Sequence, residues 1–257
     1  EYLTSHAVDY TLNSGNPAKI TMRDASLAII NKAMAESDKV RIQYAAKQSR
    51  ISNSYKKWIG ESKGLKRLDA IKTKQLFEEI FAEVVAQKPE TQKLYGDLLN
   101  QYNKLYQDNN KFVLGRELFI ELYYYGPEIF RFANDFNKYV DSYLDDEITE
   151  ELKLKSSEVL KPRINSFFKD YNAEVDQQLF AELTRLYVQL VDPTLMPKFK
   201  ALVDEKYNGD YAAYAEKTFK KSIFDNRVDI SDFVYNPSKP KAKKLSKDPI
   251  FVLVNEL

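Results

Sequence analysis

Between positions 129 and 143 the large apolar side chains Ile129, Phe132, Phe136, Val140 and Tyr143 recur at spacings of three and four, which lays them along one face of an α-helix. A half-buried strand would need strict alternation instead. The helical period returns in Val40, Tyr44, Ile51, Tyr55 and Trp58, in Leu94, Leu98, Tyr102 and Leu105, and in Val175, Leu179, Leu183, Leu186 and Leu190. With only 7 glycines and 9 prolines in 257 residues, the chain has few helix breakers, which favours long helical runs over short strands joined by many turns. The pattern predicts an all-α protein, an irregular multi-helix bundle with few or no strands.

Turn chemistry suggests where the helices begin and end. Leu27, Ile30 and Met34 mark one helix, and Ser37-Asp38 offers an N-cap for the next, whose end is expected near Gly60 or Gly64. Leu65, Leu68, Leu76, Ile80 and Val84 carry the period on to Lys88-Pro89, where a helix must stop. Further breaks are expected at Asp108-Asn109-Asn110, Gly126-Pro127, the acidic Asp145-Asp146-Glu147, Asp192-Pro193, Asn208-Gly209 and Asn236-Pro237. The opening stretch has no helical period and holds the turn-forming Asn13-Ser14-Gly15-Asn16-Pro17. Residues 1–21 therefore read as a linker, 22–235 as one helical domain and 236–257 as a return connection, in which Phe251-Val252-Leu253-Val254 is a short β-rich piece. There is no repeat and no sustained heptad pattern, so a solenoid or a coiled coil is not expected.

The 39 basic and 38 acidic residues nearly cancel, leaving no field that recruits nucleic acid or an anionic membrane. No stretch approaches the roughly 20 apolar residues of a membrane span. The first residues carry neither an initiator Met nor a signal pattern, so the chain reads as an excised fragment. The absence of cysteine excludes disulfides, a thiol nucleophile and thiolate metal sites, and fits either redox compartment. The 18 tyrosines and 15 phenylalanines suggest helix interfaces packed with rings.

Residues suited to chemistry are scarce. A Ser-His-Asp or Cys-His device needs an imidazole, and His6 is the sole histidine, in the leader. Glu117 and Glu121 lie one turn apart, and Asp145, Asp146, Glu147, Glu150 and Glu151 crowd together, yet no Glu-x-x-His pair accompanies them. The acidic run reads as a solvated loop or helix start. A calcium loop at Asp108 to Gly115 is unsupported, since Phe112 stands where an oxygen ligand belongs and the glycine falls two positions late. Gly60 and Gly64 do not make a phosphate loop. Lys239, Lys241, Lys243, Lys244 and Lys247 form a basic run best read as a solvated linker. No catalytic residue, metal ligand or cofactor site is expected, and any activity belongs to something the chain is attached to.

One block is more specific: Arg41-Ile42-Gln43-Tyr44-Ala45-Ala46-Lys47, then Asn53, then Tyr55-Lys56-Lys57-Trp58-Ile59-Gly60-Glu61-Ser62-Lys63-Gly64-Leu65-Lys66-Arg67-Leu68. It resembles the helical domain of the bacterial type-7 and type-11 dipeptidyl-peptidases, family forty-six of the serine peptidases. Tyr2-Leu3-Thr4-Ser5, Asn16-Pro17, Arg23, Tyr207-Asn208-Gly209-Asp210-Tyr211, Ser222 and Lys247-Asp248-Pro249 extend the resemblance over nearly the whole chain. It implies a chymotrypsin-like double β-barrel elsewhere in the same polypeptide, holding the triad and the specificity pocket. It also implies a periplasmic or cell-surface location and release of dipeptides from peptides with a free N-terminus. In such enzymes the helical domain caps the cleft, so this segment is expected to gate access and to be inactive alone.

Asn53, Lys56 and Lys63, neighbours of Trp58, are the candidate substrate-facing residues, because polar groups beside an aromatic suit a peptide cleft. Against this stands a packing reading, with Trp58 as a core anchor and Asn53 or Tyr44 satisfying buried backbone groups. Two other functions compete with the cap: a free-standing helical module that binds a protein or peptide, and a cofactor-free lyase using carboxylates.

Overall fold

In a computed structural model of the chain, residues 3–257 are described, and Glu1 and Tyr2 lie outside them. The described residues are overwhelmingly helical, with no strand among them. Helix α1 (Ser5–Tyr10) passes through a π-turn at Thr11–Gly15 into α2 (Asn16–Glu36). The stretch expected as an irregular linker before residue 22 is therefore helical from Ser5 on. A wider turn, in which the Asn16 N–H reaches the Thr11 carbonyl, absorbs the register change at Pro17, whose missing N–H would interrupt a regular ladder. Tertiary contacts hold the segment: Val8 and Leu12 are buried, and the Ser5 N–H and hydroxyl donate to the Glu78 carboxylate at 2.6 and 2.8 Å.

Helix α3 (Asp38–Arg67) begins on the Ser37 hydroxyl cap, which accepts from the Val40 N–H. It runs through Gly60 and Gly64 rather than ending there, because an exposed glycine costs a helix only about 1 kcal/mol. Asp69, at φ 45°, turns the chain into α4 (Ala70–Ala86), and α5 (Pro89–Tyr95) and α6 (Leu98–Tyr125) follow. The expected turn at Asp108-Asn109-Asn110 is instead a solvated face of α6, with the Asn109 amide folded back onto the Leu105 carbonyl at 2.8 Å. The break at Gly126-Pro127 is present. A Cβ on Gly126 would lie 2.2 Å from the Leu122 carbonyl oxygen, so Gly126→Ala is expected to destabilise the protein by about 1–3 kcal/mol. An unchanged urea midpoint would contradict that expectation.

The stripe from 129 to 143 is divided between α7 (Glu128–Asn134) and α8 (Asn137–Leu144). Then come α9 (Glu150–Glu158), α10 (Leu160–Asp170), α11 (Ala173–Leu190), α12 (Lys198–Tyr207), α13 (Tyr211–Lys221), α14 (Arg227–Tyr235), α15 (Lys239–Leu245) and α16 (Pro249–Glu256). Helix α2 packs on α3, α6 and α11, α11 packs on α13, and α15 and α16 pack on α8 and α7. Phenylalanines from four segments meet in the core: Phe132 stacks on Phe167 with centroids 3.9 Å apart, and Phe136 and Phe224 meet edge to face at 5.2 Å.

The segment after residue 235 is built into this core rather than trailing from it. Leu245 and Ile250 are fully buried, and the β-rich Phe251 to Val254 is helical, since burial against the bundle overrides strand propensity. Asp248 fixes its start. Its carboxylate accepts from the Ile250 N–H and the Ser222 hydroxyl, both at 2.9 Å, and from the Ile223 N–H at 2.8 Å. The lysine run is likewise no loose linker: it lies on and around α15, where Lys239 pairs with Asp146 and Lys241 with Asp232.

Candidate functional site

Helix α3 presents an open polar row. Asn53, Lys56 and Lys63 are exposed on its outer side and make no hydrogen bond or ion pair among the described residues. Trp58 does not join them. Two residues past Lys56 is about 200° of helical turn, and Trp58 is accordingly half-buried on the inner face. The structure thus brings three of the four sequence candidates together and puts the fourth behind them. Neither Asn53 nor Tyr44 satisfies a buried backbone group: Asn53 faces solvent, and the buried Tyr44 hydroxyl lies beside the Glu128 charge rather than on a backbone carbonyl.

Behind the row, Trp58 covers two cations of α2, with Lys19 Nζ 4.9 Å and the Arg23 guanidinium 5.0 Å from its ring centre. Arg23 lies between Trp58 and the ring of Tyr125 at 4.1 Å. Its Nη2 donates to Glu121 Oε1 at 3.1 Å, its Nε donates to Oε2, and its Nη1 donates to the Ile51 carbonyl at 3.3 Å. Arg23 and Glu121 are 2% and 4% exposed, so this bidentate pair ties α2, α3 and α6 together inside the bundle. Burial raises the Glu121 carboxyl above the usual range, against the opposing pull of Arg23.

Glu117, one turn earlier, accepts from the Tyr10 hydroxyl at 2.9 Å and from Lys19 at 3.3 Å. The two glutamates that the sequence placed side by side therefore hold separate structural partners, not a shared proton. Asn16 completes the junction by donating to Glu61 at 2.9 Å.

A second buried network was not anticipated. Asp176 of α11, 0% exposed, accepts from the Glu128 and Ile129 N–H groups at 2.6 and 3.0 Å, capping α7 from outside its own sequence. Lys47 of α3 pairs with Glu128, donates to the Asp170 carbonyl at 3.1 Å and lies 4.2 Å over the Tyr44 ring. Burial pushes the Asp176 carboxyl up to about 7; the Glu128 charge adds to this, and the two N–H donors and Lys47 oppose it. Burial likewise raises the phenols of Tyr44 and Tyr171. Local spacing gave no hint of the network beyond an acid beside Val175 on an apolar stripe.

His6 sits against Tyr106, with ring centres 5.9 Å apart. Among the described residues no three His, Asp or Glu side chains converge as a metal site, and no helix is long and apolar enough to cross a membrane.

The geometry defines a helical unit joined by buried ion pairs, with an open polar row on its longest helix. The family model for Peptidase S46 matches residues 1–257, and the chain belongs to that family. It is 31% identical to the Asp/Glu-specific dipeptidyl-peptidase of Flavobacterium psychrophilum, covering 100% of this chain and 35% of the relative. To the dipeptidyl-peptidase 7 of Porphyromonas endodontalis it is 29% identical, covering 100% of this chain and 30% of the relative. The chain thus spans about a third of the length of these curated relatives. The crystal structure of Porphyromonas endodontalis DPP11 shares its fold, with a TM-score of 0.80 at 21% identity over 98% of this chain and 35% of that one. The complex of that protein with the dipeptide Arg-Glu gives 0.77 at 23% identity over 99% and 36%.

Proposed function

We propose that this chain is the helical cap of a serine-type dipeptidyl-peptidase, gating the entry of peptide N-termini to a catalytic double β-barrel in the same polypeptide. The observation that carries the reading is an unpartnered apolar face on a family segment that spans only a third of its relatives. On α4, Leu76, Phe77, Ile80 and Val84 are about half exposed on one side of the helix, while Val85 is buried opposite them. A free-standing module would leave such a face to water; a cap covers it with its own barrel. Relatives named as dipeptidyl-peptidases support that substrate class, and a periplasmic or cell-surface location is part of the same proposal.

In this reading Asn53, Lys56 and Lys63 line the peptide's path, and Trp58 braces the row from behind through Arg23 and Lys19. An uncharged amide such as Asn53 accepts a hydrogen bond from a peptide amine without an ion pair's desolvation penalty. Asn53→Ala in the full-length protein is expected to lower kcat/KM for dipeptidyl-amide substrates at least tenfold, about 1.4 kcal/mol, with an unchanged thermal midpoint. Wild-type kcat/KM in that variant would sink the assignment.

A further inference from the structure

Between α3, the corner joining α6 to α7, and α10 lies a cleft of about 440 Å³. Its charged groups are unequally satisfied. Lys47 is paired with Glu128, and Arg163 donates to Asp135 at 2.9 Å. Arg131 alone among the three cations makes no ion pair with any described residue, and its Nε is shut off from solvent with no acceptor. That nitrogen is closed to anything entering the cleft, but the two outer nitrogens hold no partner among the described residues and remain for an anionic acceptor from outside. The cleft adjoins a narrow pocket of about 30 Å³ that shares Lys47, Glu128 and Arg131 with it. There the hydroxyl of Tyr44, 1% exposed, is buried beside the Glu128 charge.

We propose that this cleft binds a small monocarboxylate with an aromatic or apolar body, Arg131 receiving the carboxylate through its fork. The charge balance selects the class. Glu128 and Asp135 answer Lys47 and Arg163, which leaves one guanidinium to pair: a single carboxylate matches it, whereas the second charge of a phosphate meets the unpaired Asp170 carboxylate. Phe167 and Tyr123 on the walls favour a ligand with a ring or an apolar side chain over a bare ion. The site does not rest on the peptidase reading and is distinct from the α3 row.

The test uses the full-length protein, with N-acetyl-phenylalanine as the probe and its amide and inorganic phosphate as comparators, titrated by calorimetry or saturation-transfer NMR. The acid is expected to bind at least tenfold more tightly than the amide or phosphate. Arg131→Gln is expected to weaken it at least tenfold, and Arg131→Lys, which keeps the charge but loses the fork, several-fold. Asn53→Ala leaves this binding unchanged, which separates failure here from failure of the cap assignment. The proposal is overturned if the acid does not bind, if amide or phosphate binds equally well, or if both Arg131 variants retain wild-type affinity.

Discussion

Arg23→Met is expected to lower the unfolding free energy by about 3–5 kcal/mol, the range for removing one member of a buried ion pair. Against a typical total stability of about 5–15 kcal/mol, that is enough to leave a sizeable unfolded fraction on warming. The methionine fills much of the space between Trp58 and Tyr125, so packing is a minor part of the loss. The larger part is Glu121, left charged at 4% exposure without its bidentate partner. The pair variant Arg23→Met with Glu121→Leu removes both charges and is expected to recover most of the loss, as buried pairs often exchange for apolar residues at little net cost. The single variant's defect is also expected to shrink as pH falls, because burial already raises the Glu121 carboxyl and protonation removes the orphaned charge. Urea midpoints for the three proteins at two pH values measure all of this. A single-variant loss below 1 kcal/mol would contradict it.

The second large effect is at Asp176. Asp176→Ala leaves the Glu128 and Ile129 N–H groups without acceptors at the buried start of α7, expected to cost about 2–6 kcal/mol at about 1–3 for each orphaned donor. The site also sets a pH dependence. The Asp176 carboxyl titrates near 7 in the folded chain, against about 4 when unfolded, so the folded state binds this proton more tightly. Its contribution is fully present below about pH 4 and is lost as pH rises towards 7. Glu128 and Lys47 lie beside this carboxyl, the Glu128 charge adding to its rise and Lys47 opposing it. Asp176→Asn, neutral throughout, is expected to flatten the fall in stability between pH 4 and 7. An equally steep fall in that variant would place the pH dependence elsewhere.

The fold class was legible because helical period is a local property. Ile129, Phe132, Phe136, Val140 and Tyr143 are all buried, as their spacing requires, although the helix beneath them breaks after Asn134. Period tells which way a side chain points, not whether anything lies there. Leu76, Ile80 and Val84 keep the same spacing and stay about half exposed. Turn residues misled at both ends, because packing of Val8 and Leu12, and of Leu245 and Ile250, stabilises helix through stretches whose local chemistry favours turns or strand.

That Asn53, Lys56 and Lys63 share a face of α3 was readable from helical geometry alone. The partners of Arg23 and Asp176 were not readable, because they lie 98 and 47–48 residues away and no spacing rule reaches that far. Trp58 looked like either a cleft wall or an anchor, and only the cations beneath it show what it packs against.

The most direct measurement is mass spectrometry of the products when the full-length protein is incubated with an unblocked decapeptide. Successive dipeptides shed from the amino end, and none from an N-acetylated copy, are the expected result for a capped dipeptidyl-peptidase. Internal fragments, single amino acids, or an untouched peptide would contradict that assignment.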